Sequence, residues 1–258
     1  MNIDGKKIAE EMLLEIGKAV ALRRAQGESL RLAAILVGSS SKVQPPDPLA
    51  VEPLGGLRKF LELKKKAAEK IGVDFRIYKF PANITTQKLR KEIVGIAKAR
   101  VNHGALVELP LPPHINTQYI LNAIPPEKDP DVLSEKAQGA FFADRSKVLP
   151  PAVEAAKIIF EKYGIEPRGK SCAVFGYGLL VGKPISHWLA LRGATVSIIN
   201  EFTLNPNHYT LNADIIISGV GKPNLIKADM IRDGAVVIDF GHNQQPATNL
   251  VGDVDFEG

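Results

Sequence analysis

The stretch VFGYGLLVGKPISHWLALRG, residues 174–193, decides the fold. It passes from an apolar run through glycines at 176, 178 and 182 and a Gly-Lys-Pro into a segment with helical periodicity. Glycines between a strand and a helix let backbone approach a phosphate, which the helix N-terminus then holds through free N–H groups and the positive end of its dipole. The spacing G-x-G-x-x-x-G is one residue longer than the common dinucleotide fingerprint. Taken alone, the motif is equally compatible with an ordinary strand-to-helix turn.

The residues that follow supply the context. ATVSII (194–199) reads as a second strand ending at Asn200 and Glu201, where an acidic side chain would meet ribose hydroxyls. ADIIISGV (213–220) leads to Gly219, Val220 and Gly221, a turn where backbone can pass a ribose or nicotinamide, and AVVIDFG (235–241) reads as another strand. Upstream, LAAILVG (32–38), DFRIYKF (74–80) and GALVELPL (104–111) alternate with helical patterns. Such alternation predicts βαβ units and parallel sheets. Pro-rich IPPEKDPD and the helical AVEAAKIIFEKYG separate the third and fourth strands and place a boundary near Pro150. The expected architecture is therefore two α/β domains: a catalytic domain over 1–150 and a Rossmann-type dinucleotide-binding domain with a parallel sheet over 151–258. Residues 39–56, SSSKVQPPDPLAVEPLGG, carry neither period and read as a loop.

Composition excludes several classes. A chain of 258 residues with 45% hydrophobic content can bury the cores of two such domains. No apolar run reaches the roughly 18 residues that a membrane span needs, and MNIDGKKIAEE reads as a helix start rather than a signal peptide. The expectation is a cytoplasmic protein without a membrane partner. The single cysteine, Cys172, excludes an internal disulfide and a cysteine-cluster metal site, and it reads as a buried structural thiol. The five histidines show no H-x-x-x-H pair, so no metal is expected. A net charge of +5 suits phosphate-bearing ligands. Lysines interleaved with glutamates make a solvated face, however, and no nucleic-acid module accompanies them, so nucleic acid is not an expected partner.

An ordered series of segments resembles the bifunctional methylenetetrahydrofolate dehydrogenase/cyclohydrolases: IDGKKIAEEM, KKKAAEKIGV, GALVELPLPPHIN, IPPEKDPD, VGKPISHWLALRGATVS, ADIIISGVGKP, DGAVVIDFGHN and LVGDVDF. The resemblance implies oxidation of 5,10-methylenetetrahydrofolate with NAD or NADP, then hydrolysis of the methenyl product to 10-formyltetrahydrofolate. It also implies a homodimer. The family's Tyr-x-x-x-Lys segment falls on Phe60 to Lys64, which makes Lys64 the implied acid/base and Phe60 a substrate contact. At a spacing of four both lie on one helical face. The family's Gln-Leu-Pro-Leu-Pro becomes Glu108, Leu109, Pro110, Leu111 and Pro112. An anion at Glu108 would favour the charged form of a neighbouring lysine and oppose proton transfer.

The family's Lys-Asp-Val-Asp-Gly becomes Lys128, Asp129, Pro130, Asp131 and Val132. By resemblance Asp131 binds the pterin, whose amino-pyrimidine edge offers donors that a carboxylate accepts; read from the residues alone it is equally a turn residue after Pro130. The implied dinucleotide contacts are Gly176, Tyr177, Gly178, Leu180, Val181, Gly182, Lys183, Pro184, Asn200, Glu201, Gly219, Val220 and Gly221. Tyr177 stands where the family has Arg, and Asn200 and Glu201 where it has His-Ser. Losing the groups that would receive a 2′-phosphate favours NAD over NADP. The family's Pro-Gly-Gly-Val-Gly-Pro loop has no match, since the sequence stops after GDVDFEG. A truncated chain and a chain that has lost activity are the two expectations there. The alternative to an enzyme is a non-catalytic dinucleotide- or folate-binding relative. A shikimate-type dehydrogenase is disfavoured, because ELPLPPHIN and KDPD match the folate family.

Overall fold

A computed structural model describes residues 2–38, 54–243 and 251–256. The chain divides into two compact units, Met1–Ser146 and Lys147–Gly258. In the first unit the elements run α1 (Gly5–Ala25), β1 (Arg31–Val37), α2 (Leu54–Lys70), β2 (Asp74–Phe80), α3 (Thr86–Lys98), β3 (Gly104–Val107), α4 (Thr117–Leu121) and α5 (Glu135–Phe142). In the second they run α6 (Pro151–Tyr163), β4 (Ser171–Phe175), α7 (Gly182–Leu191), β5 (Thr195–Ile199), α8 (Pro206–Thr210), β6 (Ile215–Ser218) and β7 (Val236–Asp239).

Both sheets are parallel, in the order β2-β1-β3 and β5-β4-β6-β7. Parallel strands joined by helices are covered on both faces, which is why their sequences are nearly continuous apolar runs. In the first unit Ala34, Leu36, Leu61, Phe75 and Leu106 form one core cluster; in the second Ala173, Phe175, Ile199, Ile216 and Ile226 form another. In each sheet the chain leaves a central strand toward one side and returns on its other side. That reversal opens a crevice at the C-terminal strand ends, where α/β folds bind ligands. The crevice lies beyond β1 and β3 in the first unit and beyond β4 and β6 in the second.

Two expected boundaries are corrected. The third strand was expected over 104–111, but β3 stops at Val107. Pro110, Pro112 and Pro113 have no N–H to donate, so the ladder cannot continue through them. The expected loop 39–56 ends earlier, because α2 already begins at Leu54; its residues 39–53 lie outside the described residues. Cys172 is buried in β4, and burial followed by the Asp214 charge pushes its thiol up to about 12. No helix among the described residues is long and apolar enough to cross a membrane.

Candidate functional site

The crevice of the first unit gathers three charged side chains. Lys64 projects from α2 one turn after Phe60, and its Nζ sits 4.8 Å from the centroid of that half-exposed ring. Glu108 is the first residue after β3, tied to β1 by its N–H to the Ile35 carbonyl (3.0 Å). Its carboxylate is buried, at 4% exposure, and accepts from Lys64 Nζ at 2.8 Å. A buried carboxylate of this kind is tolerable only with a partner, and here the partner is the lysine.

The third group is Asp131, on the loop between a 3-10 turn (Pro126–Lys128) and α5. Its neighbours hold the loop at both ends. Lys128 Nζ donates to the carbonyls of Ala97 and Ala99 at the C-terminus of α3 (2.8 and 3.0 Å). Asp129 Oδ2 accepts from the N–H groups of Leu133 and Ser134 just ahead of α5 (3.0 and 2.7 Å). Asp129 therefore serves the loop, whereas no donor among the described residues reaches the Asp131 carboxylate. Burial pushes the Asp131 carboxyl up; the Lys64 charge pulls it down, and the Asp129 and Glu108 charges add to the rise. The residue after it, Val132, is buried with φ +55°. A β-branched residue in the left-handed region is strained, at roughly 1–3 kcal/mol.

Of the run 109–112, Leu111 is buried and packs into the unit, while Pro110 is exposed and Leu109 and Pro112 are half-buried.

In the second unit the glycine turn lies at the C-terminal end of β4. Gly176 has φ +83° and donates to the Ile199 carbonyl (2.8 Å). A Cβ on Gly182 would collide with the Gly176 carbonyl, so this glycine is required by close approach. Gly178 faces open space instead. The Lys183 N–H closes the turn on the Gly178 carbonyl (3.0 Å). Among the described residues, the N–H groups of 177–182 find no acceptor, at the positive end of a ten-residue helix. Open donors at a helix N-terminus with room above Gly178 fit a pyrophosphate.

Tyr177 and Leu180 are exposed at the rim, with Lys183 Nζ 5.6 Å from the Tyr177 ring centroid; Val181 is half-buried and Pro184 buried. Asn200 and Glu201 follow β5, both exposed; Asn200 shapes the turn by accepting from the Phe202 N–H (3.0 Å), and Glu201 has no partner among the described residues. Gly219, Val220 and Gly221 follow β6 beside the first turn: a Cβ on Gly219 would collide with Val181, and one on Gly176 would press on Val220 at 3.2 Å. No group of three or more potential metal ligands occurs among the described residues.

One residue that sequence reasoning missed organises this second turn. Asp253 is fully buried, and its carboxylate accepts from Ser218 Oγ (2.8 Å), the N–H groups of Val220 (2.7 Å), Gly221 (3.2 Å) and Lys222 (2.8 Å), and Asn243 Nδ2 (3.2 Å). Burial pushes its carboxyl up, but the hydrogen bonds from Ser218, Val220, Asn243 and Gly221 outweigh that and hold it below the ordinary carboxylate value. The only local signal was a pair of acids in GDVD following a glycine.

Comparison with known proteins matches residues 3–131 to the catalytic domain and residues 150–258 to the NAD(P)-binding domain of tetrahydrofolate dehydrogenase/cyclohydrolase. The chain belongs to that family. The Bifunctional protein FolD of Nautilia profundicola is 38% identical over 255 residues, covering 99% of this chain and 85% of the relative. The FolD methylenetetrahydrofolate dehydrogenase/cyclohydrolase of Campylobacter jejuni superposes with a TM-score of 0.89 at 31% identity, over 98% of this chain and 86% of the other. The Trypanosoma brucei FolD, solved with NADP cofactor and inhibitor, gives 0.88 at 30% identity, over 100% and 86%. As a family member the chain carries an NAD(P)-binding domain and a folate-enzyme catalytic domain.

Proposed function

We propose that the chain oxidises 5,10-methylenetetrahydrofolate to the methenyl form with a nicotinamide dinucleotide, and hydrolyses the methenyl ring to 10-formyltetrahydrofolate. The observation that carries this reading is the cluster in the first unit. A lysine ammonium, its buried counter-ion and a carboxylate without a donor among the described residues converge at the strand-end crevice. Asp131 accepts from the amino-pyrimidine edge of the folate, the role its unused acceptor capacity suits. Lys64 manages the proton of hydrolysis. In its neutral form it takes a proton from water as the oxygen bonds to the methenyl carbon, then returns it to the ring nitrogen as that carbon–nitrogen bond breaks and the oxygen, losing its remaining proton to solvent, becomes the formyl carbonyl. Glu108 holds Lys64 in an ion pair at 2.8 Å that has to open before the lysine turns to water, so hydrolysis is the slower half of the activity.

In this reading residues 1–150 act on the folate and residues 151–258 bind the dinucleotide, whose chemical part is to accept the hydride leaving the methylene carbon. The open N–H groups of 177–182 take the pyrophosphate and Glu201 the ribose hydroxyls. NAD is preferred to NADP, because Glu201 repels a 2′-phosphate and Tyr177 cannot neutralise it. Such a like-charge pair costs on the order of 1–4 kcal/mol near a surface. A homodimer is the assembly we infer, supported by the open edge of β5 beside exposed Ile198, Phe202 and Leu204; light scattering giving a monomer mass would exclude it. No observation favours a non-catalytic relative.

The decisive assay follows methenyltetrahydrofolate and reduced nucleotide by absorbance, starting from methylenetetrahydrofolate with NAD and with NADP. Decay of added methenyltetrahydrofolate is measured separately. Growth of neither signal overturns the dehydrogenase reading, and a decay rate equal to buffer overturns the hydrolase reading.

A further inference from the structure

The two turns at the crevice of the second unit differ in what their N–H groups do. Those of 177–182 are open, whereas those of Val220, Gly221 and Lys222 are all taken by the carboxylate of Asp253. The second turn is therefore closed to an external anion; it already holds an internal one. It presents instead a fixed surface, with Val220 exposed at 44% and touching the first turn through the close approaches at Gly176 and Gly219. We propose that Asp253 is a positioning residue for the dinucleotide: by holding residues 220–222 from behind, it sets the floor on which the nicotinamide half rests and the spacing of that floor from the pyrophosphate cradle.

The surroundings of Asp253 are built for this task. A Cβ on Gly241 would collide with its carboxyl group, so the chain leaves room for the carboxylate and nothing larger. Its backbone is pinned by the Ile226 N–H donating to the Asp253 carbonyl (3.0 Å) and the Asp255 N–H donating to the Ile226 carbonyl (2.9 Å). Asp239, at the end of β7, accepts from the N–H groups of Val254 (2.9 Å) and Gly241 (2.6 Å), which fixes both segments flanking the carboxylate. Asp253 lies far along the chain from the turn it orders, so the floor depends on a segment that does not itself line it. Because Oδ2 serves Ser218, Val220 and Gly221 while Oδ1 serves Lys222 and Asn243, an amide in this place opposes its NH2 to at least two donors whichever way it turns.

This rests on the reading of the second unit as the dinucleotide site, and the test separates the two. Dissociation constants for NAD and NADP, and the KM for each substrate, are measured on the full chain as wild type, Asp253→Asn and Ser218→Ala, with thermal melting as a check of folding. Absence of affinity for either nucleotide in the wild type overturns the dinucleotide reading itself. With wild-type binding present, Asp253→Asn is expected to weaken nucleotide binding on the order of tenfold or more, as facing donors lose their acceptor. The folate KM should stay unchanged, and kcat should recover at saturating nucleotide. Ser218→Ala, which removes a single donor, should give a smaller rise in the nucleotide KM alone. Equal nucleotide affinity in a folded Asp253→Asn overturns the proposal. A general loss, in which both KM values move together, does so too, because it marks a merely structural role. Should Asp253→Asn not fold, an unchanged nucleotide KM in Ser218→Ala is the overturning result.

Discussion

Replacing Glu108 by glutamine tests the chemistry of the first unit most sharply, because it removes one charge from a contact of known length. At 2.8 Å with an effective dielectric of roughly 20, Coulomb's law gives about 6 kcal/mol of attraction between the Lys64 ammonium and the Glu108 carboxylate. Lys64 keeps 27% of its side chain exposed, so solvent recovers much of that when the charge is lost; a third of it, about 2 kcal/mol, is a reasonable net figure. At about 1.4 kcal/mol per decade, giving up that attraction before the lysine can turn to water corresponds to roughly 30-fold in rate. Glu108→Gln should therefore raise the rate of methenyltetrahydrofolate hydrolysis by about one to two decades at neutral pH. Nucleotide affinity should be unaffected. The assay is the loss of methenyl absorbance at neutral pH, with Lys64→Met as the reference for no proton transfer. A hydrolysis rate that falls or stays level in Glu108→Gln, with the protein folded, refutes the argument that the carboxylate restrains the lysine. Hydrolysis surviving intact in Lys64→Met removes the lysine from the mechanism altogether.

Four further outcomes are expected. Because burial, offset by Lys64 and reinforced by the Asp129 and Glu108 charges, raises the Asp131 carboxyl, folate affinity should fall with acidification at a higher pH than an ordinary carboxylate would give; Asp131→Asn should bind folate weakly with that pH dependence gone, as titration calorimetry would register. At Val132, φ +55° strains any side chain, so Val132→Gly should lose less stability in urea than Val132→Ala, reversing the usual order; glycine relieves about 1–3 kcal/mol of strain while both lose the buried methyls. Asp253 is held below its ordinary 3.8, so its contribution to the second unit is complete above that value and is lost as pH falls through the depressed one. Melting followed from pH 6 down to pH 2 should show a steeper acid loss in the wild type than in Asp253→Asn, and equal slopes would contradict the linkage. Glu201→Ser should narrow the preference for NAD in paired nucleotide titrations, and an unchanged ratio would take Glu201 out of the ribose site.

Periodicity carried most of the fold because the central strands are buried on both faces: LAAILVG and ADIIISGV read as continuous apolar runs and hold β1 and β6. It failed where a strand ends for reasons outside the strand, as at Val107, whose continuation is stopped by prolines that an apolar count ignores. In the candidate site, the Lys64–Glu108 contact was legible because the two segments carry recognisable motifs. Asp253 was not, since five hydrogen bonds from residues far away in the chain leave no periodic trace. The separation of roles between Asp129 and Asp131 was legible only through the family motif. Two carboxylates two positions apart look alike in sequence, and only the helix end ahead of α5 shows that one of them is occupied.

The loop carrying Asp131 spans from the carbonyls of Ala97 and Ala99 to the N–H groups of Leu133 and Ser134, so it behaves as a beam resting on two helix ends. The aim of Asp131 is then inherited from its supports. Drift of the α3 terminus by a fraction of an ångström would be delivered to the carboxylate with nothing between to absorb it. Sequence changes that spoil folate recognition should accordingly be found in the last turn of α3 as well as in the crevice. Compensating changes should gather at the same helix ends rather than beside the substrate, because that is where the loop can be re-levelled.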